Sequence, residues 1–334
     1  MIPLYSLNIK ELKEWFDRQG EKPFRLSQLL QWILKQNIND FNEMTNLNKL
    51  LRKKLSDSFI LQRPFFEETY FSKDGTGKGV VKLYDNSIIE TALIPDIDRV
   101  TVCVSTQVGC KFGCEFCASG KIKFVRNLTT LEIVEQVNLW KRKGFNITNV
   151  VMMGVGEPLD NYDNVVSAYE LLKDPSFFGF GTRKITISTV GLISELEKLT
   201  KNYTKIKIAI SLHSAIQEKR EKIVPIAKKY TLVKIKKWIQ KNHLKSSITL
   251  QYIVIPRFNS GKDDLDALIK FCKDLPRVRV NLIPYNTIYK DREEPDEKLI
   301  KSIADYLYRE GVWVSVRKSR GRDINAACGQ LLAR

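Results

Sequence analysis

Apolar residues in the first sixty positions recur at intervals of three and four, in LNIKELKEWF (7–16), RLSQLLQWILKQ (25–36) and LNKLLRKKLSD (47–57). That spacing lines one face of a helix, so residues 1–62 are expected to form a small helical module, its third helix carrying a basic face. Between Phe65 and Val104 the pattern shifts to short β-rich runs broken by KDGTGKG (73–79), a glycine-rich hairpin turn, and residues 63–99 are expected to connect the module to the rest of the chain. From residue 100 to 334 the chain alternates. Strand-like VTVCVS, NVVMMG, KITIST, IKIAISLH, SITLQYIVI and VRVNLIPYN are interleaved with helical patterns such as TLEIVEQVNLWKRKG and DEKLIKSIADYLYREG. The βα alternation predicts a parallel sheet with right-handed crossovers, either open and doubly wound or curved into a barrel. Ligands of both architectures gather at the carboxyl ends of the strands.

That rule puts the unusual residues on one rim. GCKFGCEFCASG (109–120) follows the first of these strands, GVGEPLD the second, STVG the third, SLHS the fourth and PYN the sixth. Thr129 and Glu132 have the spacing of a capping box, so the cysteine loop is expected to run directly into the first crossover helix. Cys110, Cys114 and Cys117 are three of only six cysteines in 334 residues. A disulfide scaffold would be short and cysteine-dense, so the cluster binds or reacts with something. Soft thiolates select zinc or an iron–sulfur cluster. Zinc would need a fourth ligand from His213 or His243, both remote in sequence, whereas three cysteines on a cubane leave one iron open. Inert thiols are the third reading.

Composition adds two constraints. With 43% hydrophobic residues the chain can build a full core, and it contains no signal-peptide pattern and no apolar run long enough to span a bilayer, so a cytoplasmic protein without membrane attachment is expected. The 55 Lys and Arg against 38 Asp and Glu give a net charge of +17, the footprint of a partner rich in phosphate, although a lysine-rich surface would look the same. LRKKL (51–55) in the helical module is the candidate grip.

CxxxCxxC after the first strand of a βα array resembles the radical S-adenosylmethionine enzymes. CVSTQVGCKFGCEFCASG, FVRNLT, MGVGEPL, ISTVG, SLHS, NLIPYN and RKSRGRDINAACGQL together are similar to the adenine carbon-2 methyltransferases of 23S rRNA, from about Glu90 to the C-terminus. The resemblance implies an α/β fold of the radical-SAM type, a partial (β/α)6 barrel with a small N-terminal helical domain. It implies a 4Fe-4S cluster on Cys110, Cys114 and Cys117, and S-adenosyl-L-methionine contacts at Gly156, Glu157, Ser188, Ser211, Leu212, His213 and Asn286. Two molecules of S-adenosylmethionine serve each turnover: one methylates Cys328, the other supplies a 5′-deoxyadenosyl radical that activates that methyl for addition to adenine. The implied role of Cys103 is to attack the Cys328 sulfur, forming a disulfide and releasing product, and that of Glu90 is to take the carbon-2 proton. By itself Glu90 also reads as a strand-edge acid facing water, and Cys272, on a patterned helix, reads as core. The implied partners are 23S rRNA at the peptidyl transferase centre, a tRNA anticodon-loop adenosine as a further candidate, and an electron donor such as flavodoxin or ferredoxin, with the enzyme a monomer. Two rivals are an adenine carbon-8 methyltransferase, whose relatives tend to carry Ala where Pro158 stands, and a non-catalytic iron–sulfur RNA-binding protein, which would need neither Cys103 nor Cys328.

Overall fold

The computed structural model describes residues 1–36, 38–241, 244–288 and 292–332; His243 lies outside the described residues. At the amino end, β1 (Ile2–Pro3) pairs in parallel with β2 (Phe59–Ile60), so the two ends of the helical segment meet. Between them, α1 (Ile9–Arg18) opens on a capping box of Asn8 and Glu11 and buries Leu12, Trp15 and Phe16 at the predicted spacing. α2 (Phe24–Gln31) continues through a π-helical turn, and α3 (Lys49–Ser58) is capped by Asn48 and buries Leu51 and Leu55. The basic face of α3 is narrower than its sequence suggests, because Arg52 turns back and donates to the Asn42 carbonyl at 2.5 Å. Lys53 stays exposed.

Four strands come next, β3 (Phe65–Phe71), β4 (Gly77–Lys82), β5 (Ile88–Asp96) and β6 (Arg99–Val104), each antiparallel to the last. A two-residue pair, β7 (Gln107–Val108) and β8 (Arg126–Asn127), closes the cysteine loop. The alternating part then runs α4 (Thr130–Arg142), β9 (Asn149–Met152), α5 (Tyr162–Lys173), β10 (Ile185–Thr189), α6 (Ile193–Asn202), β11 (Lys207–Ser211), α7 (Gln217–Ile223), α8 (Leu232–Lys241), β12 (Ile248–Val254), α9 (Lys262–Cys272), β13 (Val278–Pro284), α10 (Glu297–Arg309) and β14 (Val314–Val316). One ten-stranded sheet results, in the order β3-β4-β5-β6-β9-β10-β11-β12-β13-β14. From β6 onward every neighbouring pair is parallel. The segment expected to be a connector is therefore the antiparallel flank of the same sheet, and β14, which the sequence pattern did not single out, extends the other end. β3 and β14 stand at the two ends of the strand order, with no pairing between them.

Burial explains the arrangement. β12 is nearly continuous in buried side chains, as a parallel strand covered on both faces should be. α4 is buried all along Thr130–Trp140, covered by the sheet, by α5 and by the amino-terminal segment. Its polar side chains carry that contact: Thr129 Oγ1 donates to the Tyr5 carbonyl at 2.7 Å, Asn138 Nδ2 donates to the Leu34 carbonyl at 3.1 Å, and Glu135 is paired to Arg142 at 2.6 Å and Arg63 at 3.8 Å. The predicted Thr129–Glu132 capping box is present. No helix among the described residues is long and apolar enough to cross a membrane.

Candidate active site

The carboxyl ends of β9, β10, β11, β12 and β13 open on one cavity of about 820 Å3, mouth included. Cys110, Cys114 and Cys117 line one wall of it, presented by the loop that β7 and β8 close. The loop is held through its backbone, with Cys117 N–H donating to the Cys114 carbonyl at 3.2 Å and Glu115 N–H to the Ile223 carbonyl of α7 at 3.0 Å. All three thiols are unbridged, and burial pushes each pKa upward, to about 12 for Cys110. Burial raises Cys272 in the same way, so what sets these three thiols apart is their shared place on the cavity wall. Among the described residues no group of three His, Cys, Asp or Glu side chains is placed to hold a single metal ion. His213 Nδ1 accepts the Ile253 N–H at 3.1 Å, its ring packs edge-on against Phe116, and burial holds its pKa down to about 3. It is a neutral wall of the cavity.

Facing the cysteines are Gly156, Glu157, Ser188, Ser211 and His213. Glu157 is buried; its Oε1 accepts the Leu159 N–H at 3.1 Å and its Oε2 the Val190 N–H at 2.9 Å. Burial outweighs those bonds and pushes its pKa up to about 7. Gly156 stands at φ +99°, and a Cβ there would meet the side chain of Gln107 at 2.6 Å. Gln107 in turn accepts the Glu157 N–H at 2.9 Å and donates to Asn127 and Asp160, each at 2.8 Å. Beneath this wall lies Arg220 of α7, fully buried. It donates to the carbonyls of Val190 at 2.7 Å, Tyr230 at 3.0 Å, Leu212 at 3.1 Å and Ser211 at 3.3 Å, tying the ends of β10 and β11 together. Burial draws its pKa down to about 10.

Cys328 lines the same cavity and also a smaller one behind it, which it shares with Cys103, Met153 and Arg317. The two cysteines that the resemblance pairs are thus brought together from opposite ends of the sheet-forming sequence, unbridged. Burial pushes the Cys103 thiol up to about 12, while Arg317 pulls it the other way. The loop that carries Cys328 rests on the cysteine loop: Ala118 N–H donates to the Gly329 carbonyl at 2.7 Å and Ser119 Oγ to the Leu331 carbonyl at 2.6 Å.

Three expected site residues do not face the cavity through their side chains. Leu212 belongs to the core, with its carbonyl engaged by Arg220. Asn286 Nδ2 donates to the Cys328 carbonyl at 3.0 Å, and its Oδ1 accepts from Arg322 at 3.2 Å. Glu90 is buried rather than facing water; its carboxylate accepts the Leu332 N–H at 2.8 Å and lies 3.6 Å from Lys78. Asn286 and Glu90 hold the C-terminal loop in place. Cys272 packs against the core from α9, outside both cavities. Gln107 and Arg317 lie within motifs that carry the resemblance but were given no role there, and Arg220 had no signal, since a charged residue on a charged helix reads as solvated until its neighbours are known.

Residues 2–61 match the family model described as ribosomal RNA large subunit methyltransferase N-terminal domain, and residues 104–272 match that of the radical SAM superfamily. The probable dual-specificity RNA methyltransferase RlmN of Flavobacterium psychrophilum is 39% identical over 336 residues, covering 98% of this chain and 96% of the relative. The dual-specificity RNA methyltransferase RlmN of Geotalea uraniireducens is 39% identical, covering 100% of this chain and 97% of the relative. The crystal structure of a radical SAM methyltransferase from Sphaerobacter thermophilus superposes with a TM-score of 0.88 at 34% identity, covering 99% of each chain.

Proposed function

The chain belongs to the RlmN family of radical S-adenosylmethionine rRNA and tRNA adenine methyltransferases, and from that premise we propose how its own residues methylate carbon 2 of an adenosine in 23S rRNA. The observation that carries the reading is the position of Cys328 in a wall common to two cavities, one lined by the cysteine triplet and Glu157, the other by Cys103. A carrier sulfur must meet the methyl source on one side and the resolving thiol on the other, and this placement allows both.

Cys110, Cys114 and Cys117 would hold a 4Fe-4S cluster, with Gly156, Glu157, Ser188, Ser211 and His213 around S-adenosylmethionine. When bound, that pair supplies a 5′-deoxyadenosyl radical, chemistry that no side chain provides and that an electron-poor aromatic carbon demands. The protein contributes placement. Arg220 and Gln107 fix the wall that faces the cysteines, Ser119 holds the Cys328 loop against the cluster loop, and Asn286 and Glu90 tie it to the sheet. Glu90, whose Oε2 accepts the Leu332 N–H, would take the carbon-2 proton through the lone pairs that bond leaves free. Arg317 favours the Cys103 thiolate at the point where it must attack sulfur. The target adenosine enters unpaired or extruded, because carbon 2 is shielded within a helix. We place it in the peptidyl transferase centre, with a tRNA anticodon-loop adenosine as a second substrate, an acidic redox protein as electron donor, two S-adenosylmethionine molecules per turnover and the monomer as the working unit; the sheet would curve as a partial (β/α)6 barrel.

The order of steps supplies the test. Anaerobic Cys103→Ala protein should add to RNA and fail to release it, so a denaturing gel with labelled RNA should show a covalent complex. Cys328→Ala, and the double variant, should show neither complex nor methylated protein, because the two changes act on one pathway. Equal crosslinking in both single variants, or turnover in Cys103→Ala, would refute the roles.

A further inference from the structure

The end of the sheet opposite the reactive cavity holds a second concentration of chemistry. A cleft of about 1080 Å3, mouth included, lies there, lined by Arg99 at the start of β6, Asn149 at the start of β9, Arg183 and Lys184 before β10, Lys207 at the start of β11, and by Asp96 and Asp98. Arg279, the second residue of β13, faces the same group: burial first, then Arg279, Arg99, Lys184 and Arg183 lower the pKa of Lys207. Asp96 is already engaged, 3.1 Å from Arg99 and 3.1 Å from Arg320. Among the described residues no ion pair is made by Arg183, Lys184, Lys207 or Arg279. The Nε of Arg279 is buried without a hydrogen-bond partner.

Gathering like charges on adjacent strand ends is unfavourable, and leaving a buried guanidinium nitrogen unsatisfied adds to the cost. Surface lysines scattered for solubility would not converge on one cleft from separate strand ends. Parallel strands present their first residues at one end of the sheet, so Arg183, Lys184 and Lys207, none of them ion-paired among the described residues, face a common volume from a strand start and the turn before β10, with Arg279 beside Lys207. Phosphate oxygens satisfy such a set, since each accepts several hydrogen bonds and carries the opposite charge.

We propose that the amino-terminal mouth of the sheet is a phosphate-binding site separate from the reactive cavity, and that it grips the phosphodiester backbone of the RNA substrate at a distance from the target adenosine. The RNA assignment rests on the methyltransferase reading; the anion site does not. A seven-residue strand such as β12 spans about 20 Å at roughly 3.3 Å per residue, so only an RNA long enough to pass around the sheet reaches both ends.

The test compares anaerobic full-length holoprotein with the variant Arg183→Gln/Lys184→Gln, both positions being exposed, and with the control Lys298→Gln/Lys301→Gln on α10. Affinity is measured against salt for an rRNA fragment of several helices and for a short hairpin carrying the same adenosine, and inorganic pyrophosphate is titrated calorimetrically. Loss of two phosphate contacts should make the slope of log K against log salt shallower by about 1.5 and weaken the long RNA roughly tenfold, with hairpin binding and Cys328 methylation unchanged. An unchanged slope for the long RNA, or an equal change in the control, overturns the RNA assignment. Saturable pyrophosphate binding lost in the variant, with RNA binding intact, reassigns the site to a free phosphate compound; no saturable pyrophosphate binding and no RNA effect overturn the site altogether. Failure of the Cys103 crosslink would refute the catalytic reading while leaving these outcomes interpretable.

Discussion

Gly156→Ala isolates the contact on which the wall opposite the cysteines depends. At φ +99° an L-residue costs about 1–3 kcal/mol in backbone strain. The new Cβ would also lie 2.6, 2.8 and 2.8 Å from Cβ, Cγ and Oε1 of Gln107, inside any tolerable contact. Gln107 must move, and with it go three hydrogen bonds, to Glu157, Asn127 and Asp160, worth about 1 kcal/mol each and more for the charged Asp160. The sum is about 4–7 kcal/mol, a large share of the stability of a domain. A double-mutant cycle separates the parts. Gln107→Gly removes every contacted atom and by itself loses the hydrogen bonds; in that background Gly156→Ala should add only the strain, so the coupling should be about 3 kcal/mol. Urea midpoints of the anaerobic protein, with m unchanged, read the energies, and iron and sulfide content after reconstitution reads the site. If the two changes add within about 0.5 kcal/mol, the Gln107 contact does not hold this wall and the argument fails.

Glu157 makes stability depend on pH in a stated direction. Its pKa is raised from 4.5 to about 7, so the folded state binds the extra proton; the stabilisation is complete below pH 4.5 and is lost as pH rises through 7, by about 3 kcal/mol. Urea midpoints of protein without cluster, taken from pH 5 to 8, should fall more steeply for the native chain than for Glu157→Gln, and parallel slopes would show that burial does not govern the group. Arg220→Met removes donors to four strand-end and loop carbonyls and should destabilise by about 3–5 kcal/mol, even though a buried charge is relieved. Lys, with a point charge in place of a fork, should not restore the loss; a variant within about 1 kcal/mol of the native chain would contradict the bracing role.

Much of this molecule was legible in one dimension because its signals are local. A helix or a strand is declared by a period of 3.6 or 2, and the three helices of the amino-terminal segment, the α4 capping box and the six predicted βα strands all appear where those periods place them. The reactive rim comes from the same information, since parallel strands must present their carboxyl ends together and every motif that succeeds a strand arrives there. The three-residue β14 is too short for a period to show, and the antiparallel flank β3–β5 could be recognised as strands without any local sign that they would join the main sheet.

What the tertiary structure alone decided are the partnerships between remote segments. Cys103 and Cys328 are separated by most of the chain, and only the folding of the C-terminal loop onto the cysteine loop puts both on one small cavity. Glu90 and Asn286 carry residue types suited to chemistry, yet the fold engages them in holding that loop. Arg220 sits on a short charged helix, QEKREKI, whose Glu218 and Lys222 are exposed, and it is buried because four carbonyls at the ends of two strands and a loop converge on that one position. Sequence therefore determined the elements, the rim and the inventory of reactive groups. Packing determined which of those groups meet, because hydrogen-bond partners and burial are properties of segments brought together and are not encoded in the spacing of any one of them.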